Sequence, residues 1–304
     1  MTWVGLLLIA GAAVPLLIEL ARRKMDDAVR KQAPGQFVEL SQGITHYRWY
    51  GPEKGRVLVC IHGLTSPSFV WTPLASGLGL MGYRVLTYDL YGRGFSDRVA
   101  GLQNSRFFLR QFEDLLNALQ IKEDLVLIGY SMGGAIVTKI AATTQRRIRH
   151  LVLLAPAGMG QIGGRWVRAM VQVPIFGAWA MLAFYPEILR RGLRESAKRP
   201  LAIPEIIEQQ EAELNWRGFV PAVLQSLRGI LDENLRMNHE KLAQETTPVI
   251  AIWGAQDKVI PLLAKDKLEV WNPNAGQIVF EDAGHELAYT HADRILDLLK
   301  HRLT

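Results

Sequence analysis

The chain has 304 residues, 49% of them apolar, with one cysteine and a formal net charge of +6. That length suits one α/β domain with an insertion, and the apolar content suffices for a large core, which excludes an intrinsically disordered chain. A lone cysteine excludes an intrachain disulfide framework, and the positive charge comes without the basic-aromatic motifs of nucleic-acid binders, so no nucleic-acid partner is expected.

Residues 2–18 carry no charge; Glu19 follows, then the basic cluster Arg22-Arg23-Lys24. At about 1.5 Å per residue a helix over this run spans roughly 25 Å, near the roughly 30 Å of a bilayer's hydrocarbon core. A cleaved signal peptide would be basic before the run rather than after it. A core helix is the other reading, since Pro15 and Glu19 weaken a membrane span. The expectation is a single membrane anchor over residues 1–21, with Trp3 at one interface and Arg22, Arg23 and Lys24 at the other. The positive-inside tendency then places the domain that follows on the cytoplasmic side. Residues 22–35 form a juxtamembrane segment ending at Pro34-Gly35.

Residues 37–40 and 45–50 alternate polar and apolar around Ser41-Gln42-Gly43 and predict an antiparallel pair, with His46 structural. Residues 56–61 predict a strand, which makes Cys60 a buried core thiol. A helix over 68–81 and a strand over 84–90 lead into Asp89-Leu90-Tyr91-Gly92-Arg93-Gly94-Phe95-Ser96. This turn lacks the lysine of a phosphate loop and the dinucleotide spacing, so Asp89 and Ser96 are expected to fasten it. A helix over 104–120 follows.

The apolar run 125–128 then meets Gly129-Tyr130-Ser131-Met132-Gly133 and passes into helical composition through Ala142. A serine here must stand on a tight, strained turn so that its hydroxyl clears the backbone. Glycines two residues to either side let the strand and helix approach closely. The helix start after Ser131 also offers free backbone N–H groups to a developing anion. A strand over 150–155 closes at Pro156-Ala157-Gly158. Residues 159–244 break the rhythm and are mostly helical in pattern. They contain glycines near 161–164, an apolar run over 171–185 and the basic residues Arg190, Arg191, Arg194, Lys198 and Arg199. An acidic, helix-compatible stretch over 204–217 comes after them. Strands over 247–254 and 277–280 deliver Asp257 and His285 to the loops that follow, and a helix over 290–303 ends the chain. Strands alternating with helices imply a mostly parallel central sheet covered on both faces.

The strand–turn–helix around Ser131, the His62-Gly63 pair, the Asp89-to-Ser96 turn and the order Ser131, Asp257, His285 resemble the α/β-hydrolase superfamily from about residue 36 onward. Within it the chain is most similar to membrane-anchored monoacylglycerol-lipase-like and phospholipase-like serine hydrolases. The resemblance implies an α/β-hydrolase fold with its catalytic core in residues 36–158 and 245–304 and a helical cap over 159–244. It implies Ser131 as nucleophile, His285 as its base and Asp257 as the carboxylate behind the imidazole. The backbone N–H groups of Leu64 and Met132 become the oxyanion donors. His62 is read as a loop residue outside the triad. Asp282 and His291 are weaker rivals for the acid and base.

Serine at the elbow, where dehalogenases and epoxide hydrolases carry aspartate, implies acyl transfer through an ester intermediate. No cofactor and no metal are expected, since no metal-ligand cluster is visible. The expected substrate is a lipid-like ester such as a monoacylglycerol or lysophospholipid. The aromatic run 176–185 would line an acyl channel or touch lipid, and the basic stretch could lie against anionic headgroups. Two other readings stay open. One is a carbon–carbon bond hydrolase or acyltransferase using the same triad, and the other is a ligand-binding scaffold without turnover.

Overall fold

The computed structural model describes residues 3–122, 124–160, 169 and 171–303. The strands are β1 (Gln36–Leu40), β2 (Gly43–Tyr50), β3 (Arg56–Ile61), β4 (Tyr83–Tyr88), β5 (Leu125–Tyr130), β6 (Ile148–Leu154), β7 (Val249–Gly254) and β8 (Gly276–Phe280). They form one eight-stranded sheet in the order β1-β2-β4-β3-β5-β6-β7-β8. β2 runs antiparallel to both of its neighbours, and the pairs from β4 to β8 are parallel. A parallel sheet is buried on both faces, so its strands read as unbroken apolar runs. Thus Leu125–Tyr130 is buried throughout, as is Val249–Gly254.

Helices cover the two faces. On one lie α4 (Ser105–Ala118) and α5 (Met132–Thr143); on the other lie α3 (Thr72–Leu80) and α12 (Ala292–Lys300). α4 starts where the Asn104 side chain accepts the Phe107 N–H, and its Phe108, Phe112, Leu115 and Leu116 recur at helical spacing on the buried side. The helix expected over 68–81 is divided into a 3-10 turn, Ser68–Trp71, followed by α3. The closing helix is likewise preceded by a short separate turn, α11 (Leu287–Thr290). One helix was not foreseen: α10 (Leu263–Trp271) joins β7 to β8. Its four charged residues are interspersed with its apolar ones, and only Leu268 is buried, so the sequence shows no wide apolar face.

Between β6 and β7 the chain forms α6 (Pro174–Ser196), α7 (Ile206–Ala212), α8 (Phe219–Arg228) and α9 (Arg236–Gln244). α6 carries Arg190, Arg191 and Arg194, has Pro186 inside it, and ends at Ser196, before Lys198 and Arg199. Val171, Met181, Leu189, Leu193, Leu214, Phe219, Val220, Val223 and Leu224 form an apolar cluster there, and Leu64 of the core packs against it. The glycines expected to open this insertion, at 161–164, lie outside the described residues.

The expected membrane anchor, and the sidedness drawn from it, need correction. No helix among the described residues is long and apolar enough to cross a membrane. The first helix, α1 (Trp3–Ala21), has 19 residues and Pro15 inside it. Its C-terminal end is fastened to the insertion. Glu19 is 5% exposed and accepts the Gly218 N–H at 2.6 Å and the Arg22 guanidinium at 2.5 Å. The Trp179 indole donates to the Ala12 carbonyl at 2.8 Å. Arg23 exchanges backbone hydrogen bonds with the 215–217 turn and stacks on Trp216. A buried carboxylate paired in this way belongs to a protein contact rather than to a headgroup layer. The segment expected to be juxtamembrane holds only a short helix, α2 (Asp27–Arg30), capped by the Asp26 side chain.

Candidate active site

Ser131 stands at the end of β5 with φ +54° and ψ −116°. For a residue with a β-carbon this is strained, and the surroundings hold it in place. Its N–H donates to the Leu154 carbonyl at 2.9 Å, and its carbonyl accepts from Gly134 at 2.9 Å and Ala157 at 3.0 Å. The flanking glycines are steric requirements. A β-carbon on Gly129 would sit 2.3 Å from the Gly133 carbonyl oxygen, and one on Gly133 would sit 1.9 Å from that of Ile61. The elbow therefore closes only with hydrogen at both positions.

β8 and β7 bring the other two predicted side chains to Ser131. The His285 Nε2 is 2.9 Å from the Ser131 Oγ, and its Nδ1 is 2.8 Å from the Asp257 Oδ2. The other Asp257 oxygen, Oδ1, accepts the N–H groups of Val259 and Ile260, both at 2.7 Å. The carboxylate is thus held on two sides and has one oxygen left for the imidazole. Tyr130 packs its ring 5.4 Å from that of His285. Burial drives the Tyr130 phenol well above its usual range, with the neighbouring Tyr289 and the nearby carboxylates adding to the rise, so it stays protonated.

Leu64 follows the 62–63 pair, and Met132 is the first residue of α5. Neither N–H has a hydrogen-bond acceptor among the described residues. His62 is fully buried and serves the loop: its Nδ1–H donates to the Gly63 carbonyl at 2.7 Å, and its Nε2 accepts the Leu90 N–H at 2.9 Å. That pairing fixes a neutral tautomer, in keeping with a pKa pushed down to about 4 by burial. Sequence reasoning missed Arg93. It is fully buried and donates to the Leu64 carbonyl at 3.0 Å, the Tyr91 carbonyl at 3.0 Å and the Ser226 hydroxyl at 2.9 Å. It ties the Leu64 loop to the insertion, and burial lowers its pKa to about 9. The only sequence signal was an arginine placed between two glycines of a tight turn.

Asp89 and Ser96 fasten their turn, as expected. Asp89 accepts the Ser68 and Phe95 N–H groups at 2.7 and 2.9 Å, and the Ser96 hydroxyl donates to its carbonyl at 2.7 Å. His46 contacts the Asp89 Oδ2 through Nδ1 at 2.7 Å and the Pro34 carbonyl through Nε2 at 2.5 Å. Neither partner has a proton to give, so both ring nitrogens donate and His46 is an imidazolium. Burial opposes that charge, but the Asp89 carboxylate outweighs it and raises the His46 pKa. The exposed Asp282 side chain pairs with Arg294 and His291 rather than with His285. The basic residues of α6 face carboxylates of the insertion itself: Arg190 meets Glu211, while Arg191 and Arg194 share Glu187.

A largely apolar cavity of about 490 Å³ lies between the insertion and the sheet, bounded by Phe69, Phe95, Ile203, Ala212, Glu213 and Trp216 among others. None of Ser131, Asp257 and His285 lines it. Glu213 is buried there; burial raises its pKa to about 7, although Arg98 and the Gly94 N–H pull the other way.

Three comparisons bear on this arrangement. The sequence profile described as alpha/beta hydrolase fold matches residues 56–292. The pimeloyl-[acyl-carrier protein] methyl ester esterase of Aliivibrio salmonicida is 28% identical over 266 residues, covering 83% of this chain and 94% of that protein. The 2-hydroxymuconate semialdehyde hydrolase of Pseudomonas putida is 27% identical over 229 residues, covering 72% and 76%. Among solved structures, the enol-lactonase from Burkholderia xenovorans LB400 superposes with a TM-score of 0.74 at 20% identity, over 88% of this chain and 99% of that one. At that identity the last likeness speaks for the fold alone.

Proposed function

The chain belongs to the alpha/beta hydrolase fold family, and from that premise we propose that it is a serine-dependent carboxylic ester hydrolase. The observation that carries the reading is the hydrogen-bonded line from Asp257 through His285 to the Ser131 hydroxyl, ending on a strained elbow. A serine hydroxyl is a poor nucleophile at neutral pH. In this reading the His285 Nε2 takes its proton as Ser131 Oγ attacks the ester carbonyl. Asp257 keeps the Nδ1 proton in place and stabilises the imidazolium. The carbonyl oxygen becomes an anion facing the N–H groups of Leu64 and Met132. The imidazolium then protonates the leaving alcohol, and an ester of Ser131 remains. Water, deprotonated by the same imidazole, attacks that ester and releases the acid.

We assign residues 36–158 and 245–304 to the catalytic core and residues 159–244 to a cap that excludes water from it. The substrate class we favour is an ester with an apolar acyl or alcohol part, lipid-like esters such as monoacylglycerols and lysophospholipids among them. The support is the apolar cluster of the insertion, which reaches Leu64 beside the site. The methyl ester of a carrier-bound acid, the substrate in the name of one relative, belongs to the same reaction class.

A second reading, carbon–carbon bond hydrolysis with the same three residues, is favoured by the likeness to the 2-hydroxymuconate semialdehyde hydrolase. One experiment addresses both. Purified protein and its Ser131→Ala form are offered a panel of acyl esters, monoacylglycerols and ring-cleavage diketones. The ester reading expects turnover of esters above diketones and none by Ser131→Ala. Diketones turned over faster than every ester would replace it with the second reading, and full activity of Ser131→Ala would refute both.

A further inference from the structure

His285 is the last of the three residues to be delivered, on a loop with little regular structure. What holds that loop is not the sheet alone. The insertion grips it on both sides of the imidazole. Before it, the Arg199 guanidinium lies against Gly284: a β-carbon there would come within 3.2 Å of the guanidinium carbon. After it, the Ser196 hydroxyl at the end of α6 donates to the Glu286 carboxylate at 2.6 Å. The Ala202 N–H adds a backbone bond to the Tyr289 carbonyl at 2.8 Å.

Arg199 does more than touch this loop. Its Nη1 donates to the Asp282 carbonyl at 3.0 Å, and its Nη2 donates to the Gln256 Oε1 at 2.9 Å. Gln256 immediately precedes Asp257, and its own amide donates to the Glu281 carbonyl at 3.2 Å. Its backbone N–H reaches the Ala283 carbonyl at 2.9 Å. One guanidinium therefore spans the loop of the acid and the loop of the base, using a planar fork whose two donors are fixed relative to each other. Gly254 shows how closely those loops approach: a β-carbon on it would sit 2.5 Å from both the Ala283 and Gly284 carbonyl oxygens.

We propose, resting on the reading of Ser131, Asp257 and His285 given above, that Arg199 is a positioning residue: it clamps the Gln256 and Asp282 loops so that the carboxylate and imidazole keep their register, and it makes reactivity of Ser131 depend on the insertion being seated. Ser131 itself is 6% exposed, so the reactivity of its hydroxyl depends on how the neighbouring loops present the imidazole to it. Arg199 and Ser196, seated around Gly284 and Glu286, hold the imidazole loop from the insertion side.

The test uses the full chain with a 4-nitrophenyl acyl ester as substrate and a fluorophosphonate as a probe of Ser131. Arg199→Ala is expected to lower kcat roughly ten- to a hundredfold with KM within about twofold, since misalignment of reacting groups acts on the chemical step. Fluorophosphonate labelling slows by the same factor. Gln256→Ala gives a similar loss, and the double variant loses little more, because both changes remove one clamp. Added guanidinium ion restores part of the Arg199→Ala rate without restoring that of Gln256→Ala. Arg194→Ala, which loses only its contacts with Glu187 and the Arg190 carbonyl, keeps the parent rate. Should Arg199→Ala fail to fold, Arg199→Lys must still lose kcat, because a single ammonium cannot reproduce the fork. The clamp is overturned if kcat and labelling of both Arg199 variants match the parent, or if the loss falls on KM alone. Ser131→Ala separates the two levels: if it is inactive while the Arg199 variants are unaffected, the clamp fails and the ester chemistry stands; if it is active, the underlying reading itself fails.

Discussion

Replacing Asp257 by asparagine isolates what the carboxylate does, because the backbone dictates how the amide must sit. The Asp257 Oδ1 accepts two N–H groups, from Val259 and Ile260, at 2.7 Å each. An amide NH2 facing two donors would leave both unpaired at a site that is 7% exposed, so the amide oxygen takes that side. The NH2 is then turned toward the His285 Nδ1, now 2.8 Å from the carboxylate. Facing a donor, Nδ1 must accept, and the ring proton moves to Nε2, which points at the Ser131 Oγ 2.9 Å away. The imidazole can no longer take the serine proton. A wrong tautomer of this kind costs about 10⁴ in kcat, or about 5.4 kcal/mol of barrier. Both backbone N–H groups remain paired, so the loss of stability should stay near the 1–2 kcal/mol of a weakened charge-assisted hydrogen bond. The assay is steady-state hydrolysis of a 4-nitrophenyl ester by parent and Asp257→Asn, with thermal melts of both. A variant whose kcat stays within tenfold of the parent, with an unchanged melt, would refute the role given to Asp257.

Three further outcomes follow from the same geometry. Gly133→Ala places a β-carbon against the Ile61 carbonyl, so it should lower stability by about 1–3 kcal/mol and abolish fluorophosphonate labelling; a parent-like melt and rate would contradict the elbow. Glu213 carries a pKa raised by burial from 4.5 to about 7, so between those values the folded state holds a proton that the unfolded state has released, and stability falls as pH rises through that window. Glu213→Gln removes this titration, so the difference in melting temperature between parent and variant should change across pH 4.5–7; a constant difference would contradict it. Cys60 is fully buried, and burial pushes its thiol well above the usual range; native protein should therefore resist thiol reagents until it unfolds, and rapid labelling would mean that β3 opens.

The core and the elbow were legible because their physics is local. β5 reads as an apolar run, Gly129 and Gly133 are spaced for a tight turn, and β7 and β8 each end just before a polar loop that carries Asp257 or His285. Arg93 was not legible: its partners Leu64 and Ser226 lie 29 and 133 residues away, and nothing nearby signals a buried guanidinium. The same limit governs residues 2–18. An apolar, uncharged run does not announce where its end is fastened, and the bond from Gly218 to Glu19 joins positions 199 residues apart in sequence. The clamp by Arg199 was hidden for a related reason. In sequence it belongs to a basic stretch that resembles a solvated face, and for Arg190, Arg191 and Arg194 the partners are indeed exposed carboxylates.

The most direct measurement is intact-mass and peptide mapping of the protein after fluorophosphonate treatment, with the parent beside His285→Ala. A single adduct is expected on the peptide containing Ser131, forming in proportion to the loss of esterase activity and slowed by orders of magnitude in His285→Ala. An adduct on a different serine, or activity that persists with Ser131 fully modified, would contradict it.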